Sequence, residues 1–194
     1  MLIMKNIAIF ASGSGTNAEN IIRYFCTHDK IRIDSVWSNR QDAFVLERAK
    51  NLGVDSFHFN RDYFLNPGKL MTDLQQRKIQ LIVLAGFLWL IPPHLIRSFP
   101  IINIHPALLP LYGGKGMFGM KVHETVIHNG DRESGITIHM VNEEYDSGKQ
   151  LFQKRCPVFP GDTPEMLAQR VHMLEYEFYP GVIEDFLLKQ GVNN

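Results

Sequence analysis

An amide and an imidazole stand two residues apart in the segment Asn103-Ile104-His105-Pro106. If this segment is a strand, the alternation of side chains places Asn103 and His105 on the same side. An amide N–H that stabilises an oxyanion, beside an imidazole that manages a proton, is the pair that acyl transfer needs. A capping asparagine followed by a surface histidine has the same pattern, so the pair alone leaves both interpretations open.

A carboxylate lies about forty residues further along, in the turn sequence Tyr145-Asp146-Ser147-Gly148. Acidic residues in such turns usually serve the turn itself. If Asp146 were to contact His105, its charge would favour the imidazolium and raise the pKa of the histidine. The sequence by itself does not establish that contact.

A glycine-rich loop, Ser-Gly-Ser-Gly-Thr-Asn-Ala at positions 12–18, falls between the first predicted strand and the first predicted helix. Glycines allow close backbone approach, and a helix N-terminus offers unpaired amides, so the loop is typical of an anion site. A tight turn without a ligand is one alternative. The loop also fits the dinucleotide fingerprint, for which Arg40 would meet a 2′-phosphate, so an NADP-linked oxidoreductase is the second.

A second carboxylate of interest, Glu175, lies on the last predicted helix. We expect an apolar stripe there formed by Leu167, Val171, Leu174 and Phe178, with Glu175 on its flank. Such a carboxylate is either a surface charge or an acceptor for a substrate amine. Among the histidines, His139 is balanced between a structural and a site role and His123 is a candidate for the cleft wall. The remaining ones are predicted to be peripheral: His28, His58, His94, His128 and His172.

Short apolar runs alternate with helical patterns along the chain. The predicted strands are 7–11, 31–38, 54–59, 81–85, 101–104, 136–141 and 151–158. The predicted helices are 18–28, 42–51, a polar helix after Pro67-Gly68 to about 78, 92–99, 121–128 and a last one from 164. This rhythm predicts an α/β fold with a doubly wound, mostly parallel sheet and helices on both faces. Residues 107–121 form a long loop, and the last two strands form a hairpin-like edge.

Composition narrows the class of protein. The 194 residues suit one domain, which we place at 1–194. Lys and Arg total 20 and Asp and Glu total 20, so no global field recruits nucleic acid or an anionic membrane. No signal peptide or membrane span is evident. Cys26 and Cys156 are too few for a disulfide framework, and the spacing of the histidines does not indicate metal ligands, so we expect a cytoplasmic protein without a metal.

Four segments together resemble the folate-dependent formyltransferases that act on 5-phosphoribosylglycinamide, over nearly the whole chain. They are SGSGTN at 12–17, LAGF at 84–87, NIHPALLP at 103–110 and HMVNEEYDSG at 139–148. The methionyl-tRNA members carry an added C-terminal domain, which we do not expect here. The deformylases have an N-terminal regulatory domain and a histidine in place of Pro106.

The resemblance implies an activity and its co-substrate. The formyl group of 10-formyltetrahydrofolate would pass to the amine of 5-phosphoribosylglycinamide, a step of de novo purine biosynthesis. Asn103, His105 and Asp146 would be the catalytic residues, with Asp146 keeping His105 charged. Glu175 would accept a hydrogen bond from the attacking amine. Partners would be these small molecules alone, with the protein a monomer or a weak homodimer.

The same resemblance assigns the two binding regions. The substrate phosphate would lie on Gly15, Thr16 and Asn17. The pterin and formyl end of the folate would lie along Leu88, Trp89, Leu90 and Ile91, with Asn103. Many relatives have Met-Arg at the position of Leu88-Trp89, and the loop 112–119 is longer than is common. A basic contact to the folate tail, between Arg61 and Lys69, is not assigned to one residue.

Overall fold

The computed structural model describes residues 4–189, in which seven strands form one sheet. The strands are β1 (Lys5–Phe10), β2 (Ile31–Ser38), β3 (Asp55–His58), β4 (Ile79–Leu84), β5 (Ile101–His105), β6 (Glu133–Met140) and β7 (Gln150–Pro157). Their order across the sheet is β3-β2-β1-β4-β5-β6-β7. The first five are parallel, and β6 and β7 pair antiparallel at the edge. The predicted doubly wound, mostly parallel sheet is therefore confirmed.

Helices cover both faces of the sheet. They are α1 (Thr16–Phe25), α2 (Phe44–Asn51), α3 (Arg61–Leu65), α4 (Lys69–Gln76), α5 (Pro93–Ser98), α6 (Met120–His128) and α7 (Pro164–Lys189). Residues of α1, α2, α6 and α7 join one buried apolar cluster, and residues of α3, α4 and α5 join the other. Side chains of β1 alternate between the two faces of the sheet, so Ile7 and Ile9 belong to the first cluster and Ala8 and Phe10 to the second. Because the central strands are buried on both faces of the sheet, their sequences are continuous apolar runs.

The short helix α3 was not predicted. The side chain of Asn60 accepts a hydrogen bond from the Tyr63 amide and caps the helix, a signal that the sequence contained. The polar helix predicted after Pro67-Gly68 is α4, which ends at Gln76. The β2 bounds agree with the prediction.

The buried stripe of α7 differs from the predicted one. Apart from Pro180, its buried side chains follow a four-residue spacing: Leu167, Val171, Glu175, Tyr179, Ile183 and Leu187. Leu174 and Phe178 are only partly buried. The helix contacts α1, α6 and the β5–β7 side of the sheet, so a broad strip of its surface is covered. Glu175 therefore lies within the buried stripe and not on its flank.

Tyr179 connects α7 to the backbone of two central strands, at the last residue of β4 and near the start of β5. Its hydroxyl lies 2.9 Å from the Leu84 carbonyl oxygen and 3.1 Å from that of Ile102, in a fully buried site. Burial raises the pKa of Tyr179 well above its usual range. The helix that carries Glu175 is thereby fixed relative to β4 and β5.

Replacing Tyr179 with phenylalanine is expected to lower the free energy of unfolding by about 1–3 kcal/mol, because two buried carbonyls lose their donor. Urea denaturation followed by circular dichroism measures this change. Tyr176→Phe removes a hydroxyl from a half-buried position of the same helix and should alter stability by less than about 0.5 kcal/mol. Equal losses in the two variants would contradict the proposed role of the hydroxyl.

Candidate active site

A cleft of about 970 Å³ lies outside the carboxyl ends of β1, β4 and β5. Its walls are the loop after β1, the segment after β4, the end of β5, the loop before α6, the turn around Asp146 and one side of α7. In the strand order, β1 lies between β2 and β4, so the winding of the chain reverses there. Ligands of open α/β sheets bind at such a switch point. The cleft therefore lies at the position where a ligand is expected in this class of fold.

The loop after β1 is held by side-chain hydrogen bonds at its base. The Ser12 hydroxyl donates to Asn39 Oδ1 at 2.6 Å and accepts from the Leu88 amide at 3.0 Å. One side chain therefore links the glycine-rich loop to the segment 88–91 across the cleft floor. Gly13, Ser14, Gly15, Thr16 and Asn17 all line the cleft.

Gly15 satisfies a packing requirement as well as lining the cleft. It has a φ of 76° at the start of α1, and a Cβ there would lie 2.3 Å from Val45 Cγ2 and 2.8 Å from Val45 Cα. A side chain at Gly15 would therefore displace α2 before it met any ligand. A Cβ on Gly13 would have no heavy atom within 4 Å.

Gly15→Ala should accordingly reduce the free energy of unfolding by about 1–3 kcal/mol through overpacking and the strained φ. Gly13→Ala in the same loop is the matched control and should remain within about 0.5 kcal/mol of the wild type. Thermal denaturation of the two variants gives the comparison. If Gly15→Ala were as stable as Gly13→Ala, the packing of α2 against this turn would be wrong.

Asn103, His105 and Asp146 meet at the end of β5. His105 Nδ1 lies 3.4 Å from Asp146 Oδ2, and Asn103 Nδ2 lies 3.5 Å from Asp146 Oδ1. His105 is 4% exposed, so its ring is held by packing. The backbone of Asp146 has a φ of 53°, a region that aspartate and asparagine tolerate better than most residues. The turn thus aims a carboxylate at a histidine 41 positions earlier in the chain.

His139 completes this cluster from the neighbouring strand. It is the register partner of Asn103 in the antiparallel β5–β6 pair. Its Nδ1 lies 2.9 Å from the Met140 carbonyl oxygen, which only accepts, so Nδ1 carries the hydrogen in the neutral ring. Its Nε2 then accepts from Asn103 Nδ2 at 3.2 Å. One amide hydrogen of Asn103 is donated to His139. The other makes only a long contact with Asp146 and is available to a ligand.

The backbone of the long loop also contacts this cluster. The Tyr112 carbonyl oxygen lies 2.8 Å from His105 Nε2, and the Gly114 amide donates to Asp146 Oδ2 at 3.0 Å. Because the carbonyl can only accept, His105 Nε2 carries a hydrogen. Residue types did not reveal these contacts, since both come from the main chain.

For both Asp146 and His105, burial and the neighbouring polar groups shift the pKa in opposite directions. Burial alone would raise the pKa of Asp146, but the His139 ring, whose Nε2 lies 3.6 Å from Asp146 Oδ1, the charge of His105 and the Gly114 amide outweigh it and lower that pKa. Burial is the largest influence on His105 and lowers its pKa, although Asp146 and the Tyr112 carbonyl oppose it. The expectation that Asp146 raises the pKa of His105 is therefore correct for the pairwise interaction and wrong for the net shift.

Glu175 lies on the opposite wall, beside the glycine-rich loop. Its Oε2 accepts from Asn17 Nδ2 at 2.9 Å and lies 2.6 Å from His172 Nδ1. His172 Nε2 in turn lies 3.0 Å from the Thr16 hydroxyl. His172 was predicted to be peripheral, and the structure corrects this: its partner on α1 is 156 positions away in sequence. His123 also lines the cleft and is buried.

The segment predicted to hold the folate forms a third wall. Leu88 and Leu90 are exposed, Ile91 is buried, and all four residues of 88–91 line the cleft. The Trp89 ring packs against Phe59, Phe64 and Phe87. The Arg61 guanidinium lies 5.7 Å from the centre of the Trp89 ring, at the border of this wall. Among residues 4–189, no group of three or more His, Cys, Asp or Glu side chains is arranged to hold a metal ion.

A sequence profile of the formyl transferase family matches residues 5–183. The chain belongs to the formyl transferase family. Its relatives include the chloroplastic phosphoribosylglycinamide formyltransferase of Arabidopsis thaliana, 41% identical over 92% of this chain. The phosphoribosylglycinamide formyltransferase of Haemophilus influenzae is 39% identical and is matched over 94% of this chain and 87% of its own length. This formyl transferase chain spans 64% of the length of the Arabidopsis relative.

Solved structures of the family share the fold. Glycinamide ribonucleotide transformylase 1 from Geobacillus kaustophilus superposes with a TM-score of 0.85 at 36% identity, over 95% of this chain and 99% of that one.

The helices within residues 4–189 do not combine the length and apolar character that crossing a bilayer requires.

Proposed function

We propose that this formyl transferase moves the formyl group of 10-formyltetrahydrofolate to the amine of 5-phosphoribosylglycinamide, in purine biosynthesis. The observation that carries the proposal is the convergence of Asn103, His105 and Asp146 between the glycine-rich loop and the segment 88–91. The names of the relatives agree with this assignment. A cleft of about 970 Å³ is at the upper end of the range for small-molecule sites, as two substrates require.

The binding regions follow from the two other walls. The phosphate is assigned to Gly15, Thr16 and Asn17, where the amides of the loop and the start of α1 favour an anion. The folate is assigned to Leu88, Trp89, Leu90 and Ile91, whose exposed leucines offer an apolar surface to the ring system. The amine is assigned to Glu175, which is already fixed by Asn17. The formyl carbon would then lie between Glu175 and Asn103.

Each catalytic side chain has one task in this proposal. When the amine adds to the formyl carbon, negative charge develops on the formyl oxygen. The intermediate then collapses, the bond from this carbon to the folate nitrogen breaks, and the proton lost by the amine is delivered through water to that nitrogen. The second amide hydrogen of Asn103 stabilises that oxygen by donation. His105 stabilises it by charge, because the developing oxyanion adds to the effect of Asp146 in favouring the imidazolium against burial. Asp146 is held in place by the Gly114 amide.

The oxidoreductase alternative has little support from the site. The Arg40 guanidinium pairs with Asp42 at 2.9 Å, and Arg40 is not among the described residues that line the cleft. Thermal stabilisation by each ligand separates the alternatives, because a ligand at 100 times its Kd adds about 2.7 kcal/mol. We expect a response to a folate analogue with 5-phosphoribosylglycinamide. A response to NADPH alone would overturn the proposal.

A rate measurement tests the reaction itself. Purified protein with both substrates should produce tetrahydrofolate, followed spectrophotometrically, at a rate proportional to the enzyme concentration. A non-catalytic binding module would be stabilised by both substrates and produce none. The proposal requires product from the two substrates together and from neither alone.

We extend the proposal to three properties of the whole protein. Residues 1–194 form one formyltransferase domain, for which limited proteolysis should leave a single resistant core. Cys26 and Cys156 are both free thiols, consistent with a reducing cytoplasmic location. The protein is a monomer or a weak homodimer, which light scattering over a concentration series would resolve.

A further inference from the structure

The lining of the cleft has more negative than positive side chains. The acids are Glu144, Asp146 and Glu175, while Lys115 is the one lysine or arginine among the described lining residues. The proposed ribonucleotide brings a phosphate dianion into this cleft. Backbone amides stabilise such an anion, but the nearby carboxylates oppose it. A further positive charge close to the phosphate loop would resolve this conflict.

His172 lies between the phosphate loop and the nearest of these carboxylates. Its Nδ1 is 2.6 Å from Glu175 Oε2, and its Nε2 is 3.0 Å from the Thr16 hydroxyl. The carboxylate accepts, so Nδ1 carries a hydrogen whether the ring is neutral or charged. In the neutral ring, Nε2 therefore has a lone pair directed at Thr16 and accepts its hydroxyl hydrogen.

The neutral ring is poorly suited to an anion at Thr16. A phosphate at Thr16 would face the Nε2 lone pair of His172. The Glu175 carboxylate, on the other side of the His172 ring, would add a second negative charge nearby. A proton on Nε2 converts the lone pair into a donor and places a positive charge between the two anions. We infer that His172 takes up a proton when the ribonucleotide phosphate binds at Thr16, so that substrate capture is coupled to proton uptake.

The charged and titratable groups around His172 agree with this coupling. Glu175 and Tyr176 come from its own helix, and the Tyr176 ring centre is 4.3 Å from that of His172. Glu175 favours the proton. His123, from α6, interacts electrostatically with His172, and burial lowers the pKa of His123, which disfavours a competing positive charge there. The inference rests on the proposed function, because it needs the phosphate to bind at the glycine-rich loop.

Isothermal titration in buffers of different ionisation enthalpy tests the inference by counting protons taken up. Wild-type protein is titrated with 5-phosphoribosylglycinamide at pH 8, where free histidine is mainly neutral and the phosphate is a dianion. The amine of the ligand contributes equally to every variant, so differences between variants isolate the protein. We compare wild type, His172→Gln, His172→Lys and the control His128→Gln, at an exposed histidine of α6.

We expect wild type and His128→Gln to take up more protons than His172→Gln. His172→Gln, which lacks the charge, should bind about ten- to a hundredfold more weakly. His172→Lys, which is charged before binding, should recover affinity without the additional uptake. Equal proton numbers in wild type and His172→Gln would overturn the inference and leave the proposed function intact. Absence of binding by the wild type would overturn the proposed function itself.

Discussion

Asp146→Asn is expected to reduce kcat by about 10²-fold or more while the protein remains folded. The substitution keeps the size of the side chain, and asparagine tolerates the φ of 53° found at this position. It removes the charge that faces His105 at 3.4 Å. Losses of this order are typical when an electrostatic contribution to the transition state is removed. Binding of the ribonucleotide should change little, because Thr16 and Glu175 are untouched.

The pH dependence gives this variant a second signature. Asp146 favours the imidazolium of His105, so its removal leaves burial to lower the pKa of His105 further. If turnover requires the charged ring, the basic limb of the kcat profile should move to lower pH in Asp146→Asn.

The measurement is kcat against pH for wild type and Asp146→Asn, with circular dichroism to confirm folding. Asp42→Asn, at an exposed aspartate paired with Arg40, is the matched control and should keep the wild-type profile. Turnover close to wild type in folded Asp146→Asn would make this residue a turn former only.

The second large effect is expected for His105→Gln, with a loss in kcat of about 10²- to 10³-fold. Glutamine retains an N–H for the Tyr112 carbonyl but has no charge. If Asp146 acts through His105, the double variant Asp146→Asn/His105→Gln should be little worse than the worse single variant, because residues that act as a unit are not additive.

Steady-state kcat for the four proteins of this cycle gives the coupling between the two residues. His58→Gln, at an exposed histidine of β3, controls for loss of an imidazole as such. Losses that multiply in the double variant would show two independent contributions and refute the positioning role of Asp146.

The sequence predicted the sheet and two of the cleft walls because those signals are local. Each strand was predicted from a short run of residues with apolar character. The glycine-rich loop and the Asn103–His105 alternation are likewise patterns of only a few residues. The contact between His105 and Asp146 required the register of β5 against β6 and the turn after β6, which local patterns do not encode. Its electrostatic outcome was mispredicted, because burial had no local signal.

Other parts of the site were missed for different physical reasons. The carbonyl of Tyr112 and the amide of Gly114 are present in every residue, so composition does not distinguish them. The sequence does not indicate a site role for His172, because its partner Thr16 lies on another helix. The burial of Glu175 was not predicted, because an apolar stripe does not indicate a buried carboxylate within it.

In the proposed reaction, the cleft delivers the formyl group to the amine of the ribonucleotide. A single turnover with 10-formyltetrahydrofolate labelled with ¹³C in the formyl group, analysed by NMR, follows that carbon directly. We predict that the label appears in formylglycinamide ribonucleotide in an amount equal to the wild-type enzyme, and that Asp146→Asn forms it at least about 10²-fold more slowly. Label released as formate would show that the formyl group does not reach the ribonucleotide, and equal rates in the two proteins would show that Asp146 has no part in the transfer.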